Sequence, residues 1–258
     1  MKLYLKSLKY HFKSEMEYKA SFIVSIISQF ILFFVQIFAV ITLFDKFSNI
    51  KGFTMYEVLL CYGIITFGFA FNEVFARGID AFDHHIVEGT FDRLLLRPKN
   101  IMLQILCSDA NFLKLARLIM SLIVVVVSII KIGIVWTPLK VITLIFMLIS
   151  AIIIFFGIFT LAAAYCFVTV QGLEVRNVFT DGGRYMAQYP IGIFKKGFAY
   201  FFTFIIPYAF VNYYPLLYLL GKSDNDLFAF SPLITIIYLV PCLLIFKLGM
   251  KKYSSTGS

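Results

Sequence analysis

Residues 141–173 read VITLIFMLISAIIIFFGIFTLAAAYCFVTVQGL, a run of 33 residues that contains no charged side chain. A helix of this length extends about 50 Å at about 1.5 Å per residue, whereas the hydrocarbon core of a bilayer is about 30 Å thick. The run therefore predicts a membrane-spanning helix over about 141–170, and we expect its C-terminal end to project beyond the membrane.

The rest of the chain is also too apolar for a soluble protein. Hydrophobic residues make up 61% of the 258 residues and charged residues 14%, with a mean hydropathy of +0.91. Soluble domains have about 45–50% apolar and about 25% charged residues, and a chain of this size has no core large enough to bury the surplus. We therefore predict an all-α integral membrane protein that forms a single transmembrane domain. Its six expected spans are about 20–44, 58–76, 115–136, 141–170, 197–221 and 227–249.

Lysine and arginine are distributed unequally along the chain, which indicates the orientation of the spans. With a cytoplasmic N-terminus, 18 of the 23 Lys and Arg residues fall on the cytoplasmic side and 5 on the outside. The positive-inside rule then predicts that both termini are cytoplasmic, with cytoplasmic loops at 77–114 and 171–196. The net charge of +9 is explained by topology, so we expect no nucleic-acid partner.

The first 19 residues are predicted to form an amphipathic helix on the membrane surface. Lys2, Lys6, Lys9 and Lys13 recur at helical spacing, and an apolar stripe lies beside them. This interfacial helix is expected to lie along the cytoplasmic leaflet. The alternative is a basic tail that only orients the first span.

The sequence lacks the motifs of a nucleotide-binding protein or a hydrolase. Gly221-Lys222-Ser223 resembles the end of a phosphate-binding loop, but the first glycine of that motif would fall at position 216, which is Leu. The four isolated cysteines predict neither a disulfide nor a metal site. We expect no catalytic residue, cofactor or nucleotide-binding domain on this chain. Ionisable residues deep in the spans are scarce, so energy must come from another protein unless the chain is a passive channel or a scaffold.

One polar segment has the pattern of a docking helix. Residues 87–99 read VEGTFDRLLLRPK, in which Phe91, Leu94 and Leu95 form an apolar ridge at helical spacing. Charged residues flank the ridge, and Pro98 ends the helix. We predict a short exposed helix that fits a groove on a partner protein. The alternative is that the ridge packs on the protein's own membrane surface.

Two segments of the chain together resemble a known family. They are residues 88–98 (EGTFDRLLLRP), and Tyr189-Pro190 followed by residues 204–215 (FIIPYAFVNYYP) and 219–221 (LLG). The sequence resembles the permease subunits of bacterial ABC transporters of the type-2 (exporter) class, especially the subgroup that includes viologen-exporter-like permeases. The six-span layout and the basic N-terminal helix agree with this resemblance.

The resemblance implies a permease of the bacterial plasma membrane that pairs with itself or with a second, related permease. A separate ABC ATPase would bind ATP and Mg²⁺, and residues 86–98 would be the coupling helix that inserts into it. A drug, antibiotic, peptide or other amphipathic substrate is expected, although an importer subunit remains an alternative. The predicted ATPase-coupling residues are Glu88, Phe91, Asp92, Arg93, Leu94, Leu95, Arg97 and Pro98.

Polar and helix-breaking residues inside the spans are candidates for a translocation path or gate. Gln29 and Gln36 share one face of the first span, where they either line a polar path or pack against another helix. In the fifth predicted span, prolines interrupt the backbone hydrogen bonds, which produces either a gate or a simple kink. The candidate gate residues there are Pro207, Asn212, Tyr213 and Pro215. Asp181-Gly182-Gly183 is expected to form a turn in the second cytoplasmic loop.

Overall fold

A computed structural model describes residues 2–47, 49–169 and 177–254, and this part of the chain is almost entirely helical. Extended pairing within it is limited to one isolated bridge between Ile50 and Phe53. The helices in chain order are α1 (Lys2–Glu17), α2 (Lys19–Lys46), α3 (Met55–Phe75), α4 (Arg77–Asp80), α5 (Phe82–Val87), α6 (Phe91–Leu95), α7 (Ile101–Ser108), α8 (Leu115–Ile132), α9 (Pro138–Cys166), α10 (Gly183–Ala187), α11 (Lys196–Phe204), α12 (Tyr214–Leu219), α13 (Leu227–Phe230) and α14 (Ile234–Lys252).

Five helical segments in the described residues are long and apolar enough to cross a membrane. They are Lys19–Lys46, Met55–Phe75, Phe112–Ile132, Pro138–Cys166 and Leu227–Lys252. A sixth is obtained if Lys196–Phe204 and Ala209–Leu219, which meet at 88°, are counted as one span. The prediction of an all-α integral membrane protein is confirmed.

Turn residues set the connection between α8 and α9. Gly133 follows α8 with a φ of +69°, the left-handed conformation that commonly ends a helix. Thr137 then caps α9, since its Oγ1 accepts a hydrogen bond from the backbone N–H of Lys140 at 3.3 Å. Pro138 occupies the first helical position, where no backbone donor is needed. The two helices are thus joined by a short turn.

Helix α3 is the centre of the bundle. About 83% of its most apolar stretch of 18 residues is buried, mainly against α8 and α9. Phe69 packs edge-on against Phe155 and Phe159 of α9, with ring centroids 5.2 and 5.6 Å apart. Gly68 lies so close to α9 that a Cβ placed on it would overlap the backbone of Ala151. Close approach through small residues is a common way for membrane helices to pack.

We expect Gly68→Ala to destabilise the bundle by about 1–3 kcal/mol, because the added methyl group forces α3 away from α9. Thermal unfolding in detergent measures the loss. Gly197→Ala is the matched control, since a Cβ at Gly197 meets no atom within 4 Å. Equal stability of the two variants would contradict the close packing of α3 on α9.

The two ends of the bundle carry different segments. We name the end with α1 and residues 76–111 the proximal end. There the Ser7 hydroxyl donates to the carbonyl of Cys107 at 2.6 Å, and the Tyr253 ring packs edge-on against Phe91 at 4.9 Å. We name the opposite end, with the turn at 49–54 between α2 and α3, the distal end. Helix α1 and the end of α14 therefore lie at the same, proximal end.

Residues 192–222 enter and leave the bundle at the distal end. The Lys51 ammonium donates to the carbonyl of Gly192 at 3.2 Å, and the Lys222 ammonium donates to the carbonyl of Gly52 at 2.8 Å. Between these contacts the chain enters the bundle from the distal end through α11, bends, and returns to the distal end through Ala209–Leu219. At the bend, the Tyr208 ring lies 5.7 Å from Phe155 in the middle of α9. The bent pair is therefore a re-entrant hairpin.

The predicted fifth span at 197–221 is wrong, and so is the predicted cytoplasmic loop at 171–196. Helix α9 ends at the proximal end, where the Phe167 ring lies 5.3 Å from Phe91, whereas Gly192 lies at the distal end. Among the described residues, the chain therefore crosses the bundle toward the distal end, with Arg184 beside Phe69, Gln188 beside Thr66 and then Gly192. The predicted extension of the fourth span beyond Val170 lies outside the described residues.

Candidate coupling segment and polar contacts of the bundle

The predicted coupling segment is held on the proximal end by aromatic side chains. Phe91 of α6 is fully buried, and its ring lies 5.3 Å from Phe82, 5.3 Å from Phe167 and 4.9 Å from Tyr253. Leu94 is also buried, and its carbonyl accepts a hydrogen bond from the Gln104 amide at 3.1 Å. Helix α6 is thus fixed to α5, to α9 and to the C-terminal end of the described chain.

The prediction that Phe91 and Leu94 belong to an exposed ridge is wrong. Helix α6 has only five residues, and its apolar face is covered by the protein's own aromatic core. This is the arrangement that the alternative interpretation of the ridge described. Of the three ridge residues, only Leu95 is exposed.

The exposed side of α6 forms a different surface, which we name the coupling tip. It consists of Arg93, Leu95, Leu96 and Arg97, and Leu96 is 84% exposed. Leu96 was missing from the predicted set, although the three consecutive leucines at 94–96 require that at least one leave the buried face. Glu88 and Pro98 are exposed beside the tip, and Asp92 is half-buried.

The turn before α6 is closed by its own side chains. Gly89 has a φ of +64°, which favours glycine, and it reverses the chain between α5 and α6. The His85 ring nitrogen Nδ1 lies 2.8 Å from the Thr90 hydroxyl across this turn. Partial burial lowers the pKa of His85 below its usual value, which favours the neutral ring. The coupling tip therefore projects from a defined turn.

Gln29 belongs to a polar cluster at the proximal end that joins three helices. Arg117 of α8 donates to the Glu73 carboxylate of α3 at 2.6 Å and to the Gln29 side-chain oxygen of α2 at 2.9 Å. Lys114 lies 3.8 Å from the same carboxylate. The Arg117 side chain is only 15% exposed and is paired with Glu73.

Gln36 lies nearer the distal end of α2 than Gln29 does, and it contacts α3 and α10. Its side-chain oxygen accepts a hydrogen bond from the Tyr62 hydroxyl at 2.8 Å, and its amide nitrogen lies 3.5 Å from the Tyr185 hydroxyl. Deeper in the protein, the Gln188 amide donates to the Thr66 hydroxyl at 3.1 Å. Both glutamines thus make polar contacts within the chain, and Gln36 lies beside the exposed ring of Tyr185.

The four predicted gate residues lie in the re-entrant hairpin. Pro207 occupies the bend, and Pro215 lies in the first turn of α12. The buried Asn212 amide donates to the carbonyl of Ala187 in α10, which fixes the hairpin to the preceding crossing segment. The Tyr213 ring packs on Phe53 at 6.2 Å, next to the Lys222–Glu57 ion pair of 2.6 Å. The hairpin is therefore anchored to the distal end of α3.

Arg184 is a buried cation that the sequence interpretation missed. Asp181-Gly182-Gly183 was expected to form a turn, but Val178–Gly182 and α10 are helical. The Arg184 guanidinium is almost fully buried, 4.4 Å from the centre of the Phe69 ring and 4.5 Å from that of Tyr185. Asp181 pairs with it at 3.2 Å. An intramembrane charge of this kind is a common mark of function.

Comparison with known families agrees with this architecture. A family model described as "ABC-2 family transporter protein" matches residues 30–257, which is most of the chain. The chain belongs to the ABC-2 family. No curated protein and no solved structure matches it.

Membership in the ABC-2 family confirms the resemblance to type-2 ABC permeases. The chain is a membrane component of an ABC transporter, and the family implies an ATPase partner. The coupling tip lies at the proximal end of this ABC-2 chain, on the aromatic anchor around Phe91.

Proposed function

We propose that this chain is the permease subunit of an ATP-driven exporter in the bacterial plasma membrane. It moves a drug, antibiotic, peptide or other amphipathic substrate outward, paired with a second copy or a related permease. A separate ATPase binds ATP and Mg²⁺, and its closure on ATP switches the permease pair between inward-open and outward-open states. The proposal rests on family membership and on the coupling tip.

The coupling tip is the observation that carries the proposal. Leu95 and Leu96 expose apolar surface at the proximal end, and Arg93 and Arg97 flank them. An apolar centre with an arginine rim is typical of a protein-binding surface. Because Phe91 lies in the core directly behind the tip, a pull on the tip would move α5, the end of α9 and the end of α14.

The proposed orientation places the proximal end in the cytoplasm. Lys195 and Lys196 follow Gly192 and therefore lie at the distal end, although the sequence placed them in a cytoplasmic loop. This reduces the difference between the numbers of cations on the two sides of the membrane. Most lysines and arginines nevertheless remain at the proximal end, in α1, in residues 77–117 and in the last turn of α14. The positive-inside rule therefore still supports cytoplasmic termini.

The proposed substrate path runs along α2 and α10. Gln36, Tyr62 and Tyr185 form a line of polar groups at α2, the least buried of the five long membrane-spanning helices described. Only about 11% of its most apolar 18 residues are buried in one chain. A second permease copy that packs on α2 would enclose this line. The re-entrant hairpin, with Pro207 at its bend, is the proposed outer gate.

Purification of the tagged chain from its native membrane in mild detergent tests the proposed function. We expect a second protein with nucleotide-binding motifs to co-purify and the preparation to hydrolyse ATP. Hydrolysis should require Mg²⁺ and should stop when the ATPase is removed. Recovery of the chain alone, without ATP hydrolysis, would contradict the proposal and favour a motor-independent channel or scaffold. A co-purifying substrate-binding protein would favour an importer.

A further inference from the structure

A cavity of about 590 Å³ lies at the proximal end between α1 and residues 94–108. Its polar wall is formed by side chains from both segments. They include Lys6, His11, Arg97, Lys99, Gln104 and Cys107.

The charge of this wall is entirely positive. Lys6, Arg97 and Lys99 line the cavity, and in the described ranges none of them forms an ion pair. No aspartate or glutamate is among the lining residues of this cavity. Glu15, the nearest acidic residue on the inner face of α1, accepts a hydrogen bond from the backbone of Phe112 at 3.1 Å. Three cations around one cavity favour an anion such as a phosphate group.

Gln104 provides a second, independent observation in favour of a bound ligand. The residue is 6% exposed, and its amide nitrogen donates to the carbonyls of Leu94 and Lys99, both at 3.1 Å. Its side-chain oxygen is buried and has no donor among the described residues. A buried acceptor without a donor is destabilising, so a ligand hydroxyl at this position would be stabilising. The wall therefore fits a phosphate ester that also carries a free hydroxyl.

The rim of the cavity indicates that this ester comes from a lipid. Leu3 and Tyr10 of α1 line the cavity and remain largely exposed, and Leu5 beside them is 57% exposed. Helix α1 lies at the end of the membrane-spanning helices, where exposed apolar side chains contact the acyl region of a leaflet. A soluble phosphate would gain nothing from this rim.

We propose that the cavity between α1 and residues 94–108 binds the head group of an anionic phospholipid. Lys6, Arg97 and Lys99 hold the phosphate, and a head-group hydroxyl donates to the Gln104 side-chain oxygen. The bound lipid joins α1 to Arg97 of the coupling tip and to the residues that follow the tip. It thereby fixes the tip relative to the membrane surface, whether or not an ATPase is bound.

Cys107 provides a direct reporter of occupancy. It lines the cavity and is partly exposed, whereas Cys61, Cys166 and Cys242 are buried. Burial raises the pKa of the Cys107 thiol, so labelling is measured at mildly alkaline pH. The full chain is placed in phosphatidylcholine nanodiscs with or without phosphatidylglycerol and treated with an uncharged maleimide. Cys107→Ser gives the background rate.

The labelling rate of Cys107 is expected to fall in proportion to the fraction of empty sites, that is, about tenfold when phosphatidylglycerol fills about nine-tenths of them. Lys6→Gln with Lys99→Gln should abolish this protection while the rate in phosphatidylcholine alone stays unchanged. Lys251→Gln with Lys252→Gln, at the same end but off the cavity, is the charge-matched control and should keep the protection. Phosphatidylmethanol, which has the phosphate charge but no hydroxyl, should protect less than phosphatidylglycerol.

Three outcomes would overturn the lipid site. They are no protection by phosphatidylglycerol, equal protection in the Lys6/Lys99 variant, and full protection by soluble glycerol phosphate in phosphatidylcholine discs. The last would assign the cavity to a soluble phosphate ester. If the double variant does not fold, Lys99→Gln alone serves, because Lys99 is exposed at the end of a loop.

Discussion

Glu73→Gln is expected to lower the free energy of unfolding by about 3–5 kcal/mol, since removal of one partner from a buried ion pair leaves the other charge unpaired. The Glu73 side chain is 9% exposed, and it is the carboxylate that faces both Arg117 and Lys114. Without it, two cations remain at the junction of α3 and α8. Reversible unfolding of the detergent-solubilised chain in SDS measures the change.

Two comparison variants make this prediction specific. Glu57→Gln removes the other carboxylate of α3, but its partner Lys222 is one-third exposed, so the expected loss is about 1 kcal/mol or less. Adding Arg117→Gln to Glu73→Gln should recover part of the stability, because one of the two unpaired cations is removed. A Glu73 variant as stable as the Glu57 variant would show that the Glu73–Arg117 pair does not hold α3 to α8.

The membrane class could be predicted from composition, but the path of the chain after α9 could not. Hydropathy measures how much apolar surface a segment has, and residues 197–221 have enough for a span. It does not record whether the chain returns to the side from which it came. Lysines flank the hairpin at 195–196 and at 222, and cations at both ends of an apolar segment with a central proline are the signal that could have indicated a return.

The coupling segment could be located from the sequence, but its exposed face could not. Helical spacing shows that Phe91 and Leu94 share a face, and it does not show which neighbour covers that face. The cover comes from Phe82, Phe167 and Tyr253, which are distant in the sequence or belong to other helices. The pairing of Arg117 with Glu73 was missed for the same reason, since it joins two helices whose relative rotation the sequence does not give.

Arg93→Glu combined with Leu96→Asp is expected to weaken ATPase binding by about a hundredfold. Loss of the apolar anchor Leu96 costs about 2 kcal/mol, and loss of the exposed charge at Arg93 costs about 1 kcal/mol more. The total of about 3 kcal/mol is about a hundredfold, since each 1.4 kcal/mol is about tenfold in affinity. Both residues belong to the coupling tip, and neither lines the cavity between α1 and residues 94–108, so lipid binding is unaffected. Co-purification of the ATPase and ATP-dependent transport of substrate into inverted vesicles measure the effect.

The variant should fold normally, because the anchoring side chains Phe91 and Leu94 are untouched and the substituted ones face outward. Lys251→Glu with Lys252→Glu also adds negative charge to the proximal end, at residues outside the tip, and should keep the ATPase. A tip variant that retains both the ATPase and efflux would show that coupling occurs elsewhere. Loss of efflux with the ATPase still bound would separate binding of the ATPase from coupling of its closure to transport. The tip would then transmit the closure of the ATPase to Phe91 and the helices around it, while other residues provide the affinity.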